Sequence, residues 1–169
     1  MDAERLAREA LAYADTLHNL ARYLTGNTSD AEDLVQETYA RALKAAGHFT
    51  PDTNLKAWLF TILRNTFISI YRRQRNSPIV LDDSADSAAD EHWLRQDVEL
   101  EQLRKLVASE IEDALLLLSE DARTIILLDL EGLTEVEVAQ VVGCAVGTVK
   151  SRLSRARAAL RRRLADYAR

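Results

Sequence analysis

The stretch near the C-terminus, residues 133–164, has the pattern of two helices joined by a tight turn. Thr134 and Glu137 are spaced as a capping box that begins a short helix, and Gly143 can adopt the left-handed conformation that ends it. A longer helix is predicted over residues 148–164, because apolar residues recur at spacings of four, three and four positions. These apolar residues are Val149, Leu153, Ala156 and Leu160. A short helix, a turn that contains glycine and a longer second helix are typical of the helix-turn-helix motif.

The second helix of this motif is strongly basic in a chain that is acidic as a whole. Residues 146–169 contain eight lysines and arginines and one acid, Asp166, whereas the formal charge of the 169-residue chain is -5. A run of charge is usually only a solvated face, but here the cations lie on the outward side of the helix that would enter the groove of a duplex. The pattern therefore predicts contact with DNA.

The composition favours an all-α fold. Five glycines and two prolines are few for a β-rich protein with many turns, and long helical periodicities dominate the sequence. Residues 1–75 hold ten basic and nine acidic residues, whereas residues 76–119 hold three and eleven. Residues 76–96 are rich in Asp, Ser and Ala without a sustained period, which is typical of a linker. We therefore predict two small helical domains, residues 1–75 and 97–169, joined by this acidic linker.

The composition also disfavours several kinds of site and location. The single cysteine, Cys144, excludes an intramolecular disulfide and a cysteine-rich metal site. His18, His48 and His92 lie far apart, with no nucleophile or metal-ligand spacing between them, so we expect no catalytic residue, metal or cofactor. No apolar run reaches the roughly 18 residues of a membrane span and no signal peptide is evident, so we expect a cytoplasmic protein without membrane insertion.

Three helices are predicted in the first domain. Residues 3–24 carry one apolar stripe, and a second helix begins at Ser29, forms a capping box with Glu32 and continues to about residue 46. The third helix runs from residue 55 to about residue 74, and the sequence leaves its N-cap open among three candidates. These candidates are Asp52, Thr53 and Asn54.

The third helix is apolar on more than one face and basic at its end. Trp58 and Phe67 lie on its main apolar stripe and are expected in the core, whereas Phe60 lies off that stripe, which favours an exposed position. No acid interrupts a group of cationic and amide residues toward the end of the helix, so this end can face phosphate. The group consists of Arg64, Asn65, Arg72, Arg73 and Arg75.

The first half of the second helix carries a cluster of acidic and amide residues. The helix dipole explains acids in a first turn, but this cluster continues beyond that turn to Gln36 and Glu37. We therefore predict an acidic, solvent-facing patch that docks on a basic partner. The cluster consists of Asp30, Glu32, Asp33, Gln36 and Glu37.

Two further helices are predicted ahead of the helix-turn-helix motif. The helical period returns near residue 94 and continues to Leu118, and Ser119 is a good N-cap for a short, buried helix that Gly132 ends. The apolar residues that give the first its helical period are Leu103, Leu106, Val107, Ile111, Leu115 and Leu118. Those expected to be buried from the second are Ile125, Ile126, Leu128, Leu130 and Leu133.

Three stretches resemble conserved regions of bacterial sigma factors, in the order found in that family. Residues 30–38 (DAEDLVQET) resemble the second conserved region, and residues 54–59 (NLKAWL) with 62–65 (ILRN) resemble the helix that melts the promoter and reads its minus-ten element. Residues 146–153 (VGTVKSRL) with 155–157 (RAR) resemble the helix that reads the minus-thirty-five element. The order, the length and the acidic linker match the extracytoplasmic-function (ECF) subgroup, which has only the second and fourth sigma domains.

The resemblance implies a role for particular residues. The positions that would dock on core RNA polymerase are Asp33, Leu34, Gln36 and Glu37. The loop over residues 47–54, with Asn65 behind it, would hold a base flipped from the minus-ten element. The positions that would contact minus-ten DNA are Asn54, Lys56, Arg64, Asn65, Arg72 and Arg73. In the last helix, the base-facing positions would be Lys150, Ser151, Ser154 and Arg155, and the phosphate-facing positions would be Thr148, Arg152 and Arg157.

The function implied is that of a promoter-specificity subunit without a catalytic site. Such a protein binds core RNA polymerase and promoter DNA, answers a stress and is held by an anti-sigma factor. The alternative is a stand-alone helix-turn-helix regulator, which would bind a symmetric operator without polymerase. A helical interaction protein with no role on DNA is disfavoured by the local charge near the C-terminus, and an enzyme is disfavoured further.

Overall fold

The computed structural model describes residues 1–72 and 98–165, and within these ranges it contains helices and no strand. The predicted linker, residues 76–96, lies outside the described residues, as do Arg73 and Arg75. We call the helices before this gap the N-terminal lobe and those after it the C-terminal lobe. The N-terminal lobe contains α1 (Ala3–Ala10), α2 (Ala14–Thr25), α3 (Thr28–Lys44) and α4 (Leu55–Phe67). The C-terminal lobe contains α5 (Val98–Leu116), α6 (Glu120–Leu130), α7 (Glu135–Val142) and α8 (Val146–Leu164).

The single helix predicted over residues 3–24 is interrupted, so this prediction was wrong. A 3₁₀ turn over Leu11–Tyr13 separates α1 from α2. At the break, the Tyr39 hydroxyl donates to the Ala10 carbonyl oxygen at 3.0 Å, where a helical amide would otherwise donate. The apolar period continues through the turn, because Leu6, Leu17 and Leu20 are all buried. Periodicity alone therefore does not reveal the break.

The N-cap of α3 is Asn27 and not Ser29, so the predicted capping box was wrong. The Asn27 side-chain oxygen accepts from the Asp30 amide at 2.7 Å. Gly26, in the left-handed conformation, ends α2 and brings the chain to an extended Asn27, which is the backbone an N-cap requires. The helix therefore begins earlier than the sequence indicates.

This cap assignment predicts unequal effects of two neighbouring substitutions. Asn27→Ala is expected to lower the free energy of unfolding by about 1 kcal/mol, because it leaves the Asp30 amide without its side-chain acceptor. Ser29→Ala is the matched control and is expected to change stability by less than about 0.5 kcal/mol, since Ser29 is an exposed residue inside the helix. Urea denaturation followed by circular dichroism measures both. A larger loss from Ser29→Ala would contradict the structure and support the sequence pattern.

Helix α4 is buried on two sides. Asn54 proves to be its N-cap, since its side chain accepts from the Ala57 amide at 3.2 Å. The α-helix ends at Phe67, and a π-helical segment over Ile68–Arg72 follows it directly. Phe60 is fully buried, so the expectation of exposure was wrong. Phe60 borders a small cavity together with Leu20 of α2 and with Leu127 and Leu128 of the C-terminal lobe.

The C-terminal lobe contains the predicted helix-turn-helix as α7 and α8. Thr134 and Glu137 form a complete capping box, and Gly143 ends α7 with a φ of 74°. Helix α8 begins at Val146, two residues earlier than predicted, with Ala145 as its N-cap. Its predicted stripe is confirmed, because Val149, Leu153 and Ala156 are buried and Leu160 packs against the core.

Other predictions for this lobe were only partly correct. Ser119 caps α6 as predicted, accepting from the Ala122 amide at 3.2 Å. On α6, Leu130 is 72% exposed, so its predicted burial was wrong. On α5, Leu115 is buried, but the turns before it present other apolar residues of the predicted helical period to solvent. These exposed residues are Leu103, Leu106, Val107 and Ile111.

The two lobes pack together over one continuous hydrophobic core. Helix α4 of the N-terminal lobe lies along α7, and α2 contacts α6. The Arg123 guanidinium donates to the Leu115 carbonyl oxygen near the end of α5 and also to the Tyr23 carbonyl oxygen of α2, at 3.2 Å. No helix within residues 1–72 and 98–165 has both the length and the apolarity needed to cross a bilayer.

Candidate nucleic-acid interface

Helix α8 presents one continuous polar face away from the core. Ser151, Ser154 and Arg155 are exposed on the side opposite the buried stripe, as helical spacing requires. The Arg155 side chain lies along this face, since its Nε donates to the Ser151 carbonyl oxygen at 3.3 Å. Residues 146–164 contain seven lysines and arginines and no acid. The outward face therefore offers a hydroxyl-rich centre with a guanidinium for base edges and cations around it for phosphates.

The cations at the edges of α8 are held by acidic residues of α6 and α7. The three ion pairs are Lys150–Glu135 at 3.7 Å, Arg152–Asp121 at 3.6 Å and Arg157–Asp129 at 2.7 Å. All six side chains keep a quarter or more of their surface exposed, and exposed pairs of this kind contribute roughly 0–1 kcal/mol. Phosphate oxygens can therefore replace these carboxylates at small cost. Thr148, the remaining predicted phosphate contact, is partly buried in the first turn of α8.

The predicted minus-ten residues are brought together along α4, and most of them face the other lobe. The Asn54 amide, the Lys56 ammonium and the Arg64 guanidinium all contact groups of the C-terminal lobe. The Lys56 and Arg64 side chains are only 22% and 15% exposed. Asn65 points to solvent. The side chain of Arg72 and the whole of Arg73 lie outside the described residues.

The loop before α4 borders a cleft between the lobes. Phe49 and Trp58 pack ring to ring, with centroids 5.1 Å apart at 57°. Asp52 has a φ of 70°, a conformation that aspartate tolerates better than most residues. The cleft has a volume of about 490 Å³, and the loop and Trp58 line one wall of it while Glu137 and Gln140 of α7 line the other. An aromatic side chain beside polar groups is the kind of surface on which an unpaired base stacks.

Glu137 is ionised at this boundary for a structural reason. Its carboxylate accepts from the Thr134 amide at 2.8 Å and from the Asn54 side chain at 2.9 Å. Hydrogen bonds to the charged form of a carboxylate favour its ionisation. The bond from the Thr134 backbone amide has the largest effect and the bond from the Asn54 side chain the next largest, and together they hold the pKa of Glu137 below its usual value. One carboxylate therefore completes the cap of α7 and binds the cap residue of α4.

The predicted polymerase-docking patch lies on α3. Asp33 and Gln36 are exposed, and Glu37 is half-buried and paired with Arg41 at 2.7 Å. Leu34 has no exposed surface, so it packs beneath the patch and its side chain offers nothing to a partner. Only Asp33, Gln36 and Glu37 of the four predicted residues present side chains to a docking surface.

Comparison with known proteins identifies the family. Residues 10–77 match the model of Sigma-70 region 2, and residues 108–160 match that of Sigma-70, region 4. The chain is 40% identical over 159 residues to the ECF RNA polymerase sigma factor EcfG of Rhodopseudomonas palustris (strain TIE-1), an alignment that covers 93% of this chain and 83% of that protein. The chain belongs to the ECF subgroup of RNA polymerase sigma factors. The resemblance identified from the sequence is thereby confirmed.

Two solved structures resemble this sigma factor over most of its length. One is the sigma factor RpoE in complex with the anti-sigma factor NepR from Bartonella quintana, with a TM-score of 0.73, 35% identity and coverage of 95% of this chain and 97% of that one. The other is CnrH in complex with the cytosolic domain of CnrY, with a TM-score of 0.62, 28% identity and coverage of 95% and 88%. The all-α, two-lobed fold predicted from the sequence is confirmed by these likenesses.

The sequence pattern missed the contacts that acidic residues of the C-terminal lobe make with cations and with the Asn54 amide. The residues concerned are Asp121, Asp129, Glu131, Glu135 and Glu137. For Asp121, Glu135 and Glu137 the sequence signal was a place in the first turn of α6 or α7, which the helix dipole explains equally well. Asp129 and Glu131 lie at the end of α6 and had no such signal. The contacts of these acidic residues with distant side chains depend on tertiary packing, about which the position of an acid within a helix gives no information.

Proposed function

We propose that this sigma factor directs core RNA polymerase to a two-part promoter and has no catalytic site of its own. The C-terminal lobe, residues 97–169, binds the minus-thirty-five element, and the N-terminal lobe, residues 1–75, binds the minus-ten element and core polymerase. Residues 76–96 connect them. One observation supports this most strongly: α8 exposes Ser151, Ser154 and Arg155 opposite its buried stripe, in a chain that carries both conserved sigma regions.

The proposed contacts on the upstream element divide into two kinds. Arg155 has the donors for the bidentate contact that guanidinium groups make with a guanine edge, and Lys150, Ser151 and Ser154 lie beside it. Contacts to phosphates fix the register of the helix without reading sequence. Those contacts are assigned to Thr148, Arg152 and Arg157.

The N-terminal lobe has two proposed surfaces. The loop over residues 47–54 and Asn65 receive a base flipped from the melted minus-ten element, with Trp58 close by for stacking. The cations on this surface hold the backbone of the single strand; they are Lys56, Arg64, Arg72 and Arg73. The acidic patch of Asp33, Gln36 and Glu37 docks on a basic surface of core polymerase.

We also propose an anti-sigma factor as the regulator of this protein. RpoE and CnrH, the two similar proteins of known structure, were each solved with an anti-sigma partner. A partner of this kind would release the sigma factor when a stress signal arrives. The site of action would then be the cytoplasm, where core polymerase meets the promoter.

The proposed function predicts that promoter selection depends on polymerase. Run-off transcription with purified core enzyme on a promoter library is expected to give defined start sites only when the sigma factor is present. Gel shifts on the selected promoters are expected to show a specific complex with core enzyme and no specific complex without it. Tight binding of the chain alone to a two-fold symmetric duplex, together with no start-site choice, would contradict the proposal and indicate a stand-alone regulator.

A further inference from the structure

The last turn of α8 carries cations to which the proposed function assigns no role. Leu160 is the last residue of this helix that packs against the hydrophobic core, whereas α8 itself continues to Leu164. Arg161, Arg162 and Arg163 occupy the turn beyond the core, and all three are exposed. Packing within the lobe therefore does not account for these three residues.

Helical spacing directs two of these arginines to the side of α8 that is proposed to read bases. Seven residues make roughly two turns of an α-helix, so residues seven positions apart point in nearly the same direction. Arg161 therefore repeats the direction of Ser154, and Arg162 repeats that of Arg155. Ser154 and Arg155 are exposed opposite the buried stripe. Arg161 and Arg162 thus continue the outward face of the helix.

The length of α8 places Arg161 and Arg162 beyond the bases that the helix would contact. The helix has 19 residues and is about 28 Å long, more than twice the roughly 12 Å width of the major groove. A recognition helix contacts base edges with its N-terminal residues, and the groove curves away from a straight helix. The two arginines lie about 10 Å farther along the axis than Ser154 and Arg155, so they meet the sugar–phosphate backbone and not base edges.

The electrostatic surroundings of the two arginines also suit a phosphate. Cations nearer the start of α8 pair with carboxylates, as Arg157 does with Asp129 at 2.7 Å. Among the described side chains, no carboxylate lies within ion-pair distance of Arg161 or Arg162. Helix α8 itself contains no acid. A phosphate that approaches this end of the helix therefore meets positive charge that no described carboxylate offsets.

We propose that Arg161 and Arg162 form a second DNA-binding site on α8, which binds backbone phosphates of duplex DNA beside the upstream element. The inference rests on the proposed function, which places residues 151–155 on base edges. Contacts with phosphates carry no sequence information, so this site adds affinity for any duplex and fixes how α8 lies in the groove. It extends the footprint of the sigma factor beyond the bases that it reads.

The test separates phosphate binding from the effect of arginines on the helix itself. Arginines in a last turn stabilise a helix through its dipole, so the control must remove the same kind of charge. The test variant is Arg161→Gln, Arg162→Gln in the full-length chain, and the matched control is Arg8→Gln, Arg163→Gln. Both control arginines are exposed and lie in the last turn of a helix. Arg163 stands seven residues after the buried Ala156, so it points away from the outward face.

The first measurement is the affinity of the sigma factor alone for a fluorescent duplex of random sequence, by anisotropy at several salt concentrations. Each phosphate contact contributes about 0.9 to the slope of log affinity against log salt concentration. The test variant is expected to bind about tenfold more weakly than the control at low salt, with a slope smaller by about 1.8. The control is expected to keep the slope of the wild type, because neither of its arginines faces the duplex.

The second measurement is the order of promoter preference, by run-off transcription with core enzyme on a promoter library. The test variant is expected to initiate less at every promoter by a similar factor and to keep the order of the wild type, because phosphates are the same in every sequence. Competition for core enzyme is expected to give the test variant and the control equal affinities.

Each outcome supports or overturns the inference. An unchanged slope in the test variant, or equal losses of affinity in test variant and control, would overturn the second DNA-binding site, the latter by showing an effect of net charge alone. A changed order of promoter preference would place the arginines on bases, and weaker binding to core enzyme would place them on polymerase, and either result overturns it too. Failure of the proposed function is visible separately, as the absence of start-site choice by the wild type with core enzyme. The anisotropy series still shows in that case whether Arg161 and Arg162 bind duplex phosphates.

Discussion

Arg155→Ala is expected to lower initiation at the cognate promoter by roughly tenfold to a hundredfold. The Arg155 side chain lies exposed on the outward face of α8, over Ser151 and away from the buried stripe. Loss of a bidentate contact with a guanine edge costs about 1–3 kcal/mol of discrimination, which corresponds to this range. The substitution creates no cavity, so the stability of the lobe should change by less than about 0.5 kcal/mol. Run-off transcription with core enzyme measures the effect on initiation.

The specificity of this effect is tested on the same helix. Arg163→Ala removes an exposed arginine of α8 that is not one of the proposed base contacts, and is expected to have a small effect that does not depend on promoter sequence. Arg155→Ala should also relax the preference at one base pair of the upstream element while leaving association with core polymerase unchanged. Equal losses for the two variants would remove Arg155 from base recognition. Loss of core binding by Arg155→Ala would contradict the separation of roles between the lobes.

Local sequence signals predicted the end of a helix correctly where only one nearby residue fitted the signal and no distant residue affected it. Helix α7 begins at the capping box of Thr134 and Glu137 and ends at Gly143, as predicted. Helix α6 begins at Ser119, as predicted. The start of α3 shows the limit of such signals. Asn27 and Ser29 are both good N-caps, and the left-handed Gly26 that ends α2 decides between them.

Burial was mispredicted where the covering surface is distant in sequence or lies outside a helix's own lobe. Phe60 is off the main stripe of α4, but the C-terminal lobe covers the second side of that helix. Leu106 and Ile111 are on a regular stripe of α5, but the described residues provide no surface to cover them. A helical period shows which residues share a face, whereas burial depends on what packs against that face.

One part of the candidate site could be predicted from the sequence and another part could not. The outward face of α8 could be predicted, because Val149 and Leu153 fix which side is buried and the remaining positions follow from helical spacing. The contacts of Asn54 and Lys56 could not be predicted, because their partners lie 83 and 75 residues away in the sequence. Sequence reasoning therefore found residues suited to bind DNA and missed that the same residues hold the lobes together.

The double reversal Asp33→Lys, Glu37→Lys is expected to weaken association with core polymerase by about tenfold or more. Both side chains reach the surface of α3 above the buried Leu34, so reversal changes the charge of the docking patch without removing core packing. A basic partner that attracts the carboxylates repels the lysines, and each 1.4 kcal/mol lost corresponds to a tenfold change in affinity. Competition against a labelled wild-type sigma factor for core enzyme measures the change.

The matched control is the double reversal Glu4→Lys, Glu9→Lys on α1. It makes the same change in net charge, and it breaks the exposed Arg5–Glu9 pair at 2.7 Å just as the test variant breaks the Arg41–Glu37 pair at 2.7 Å. A general effect of charge would weaken both variants equally, whereas a specific docking patch weakens only the α3 variant. Undiminished association of the α3 variant would remove this patch from the polymerase interface. Neither reversal touches α8, so an effect confined to core binding would separate docking on polymerase from reading of the upstream element.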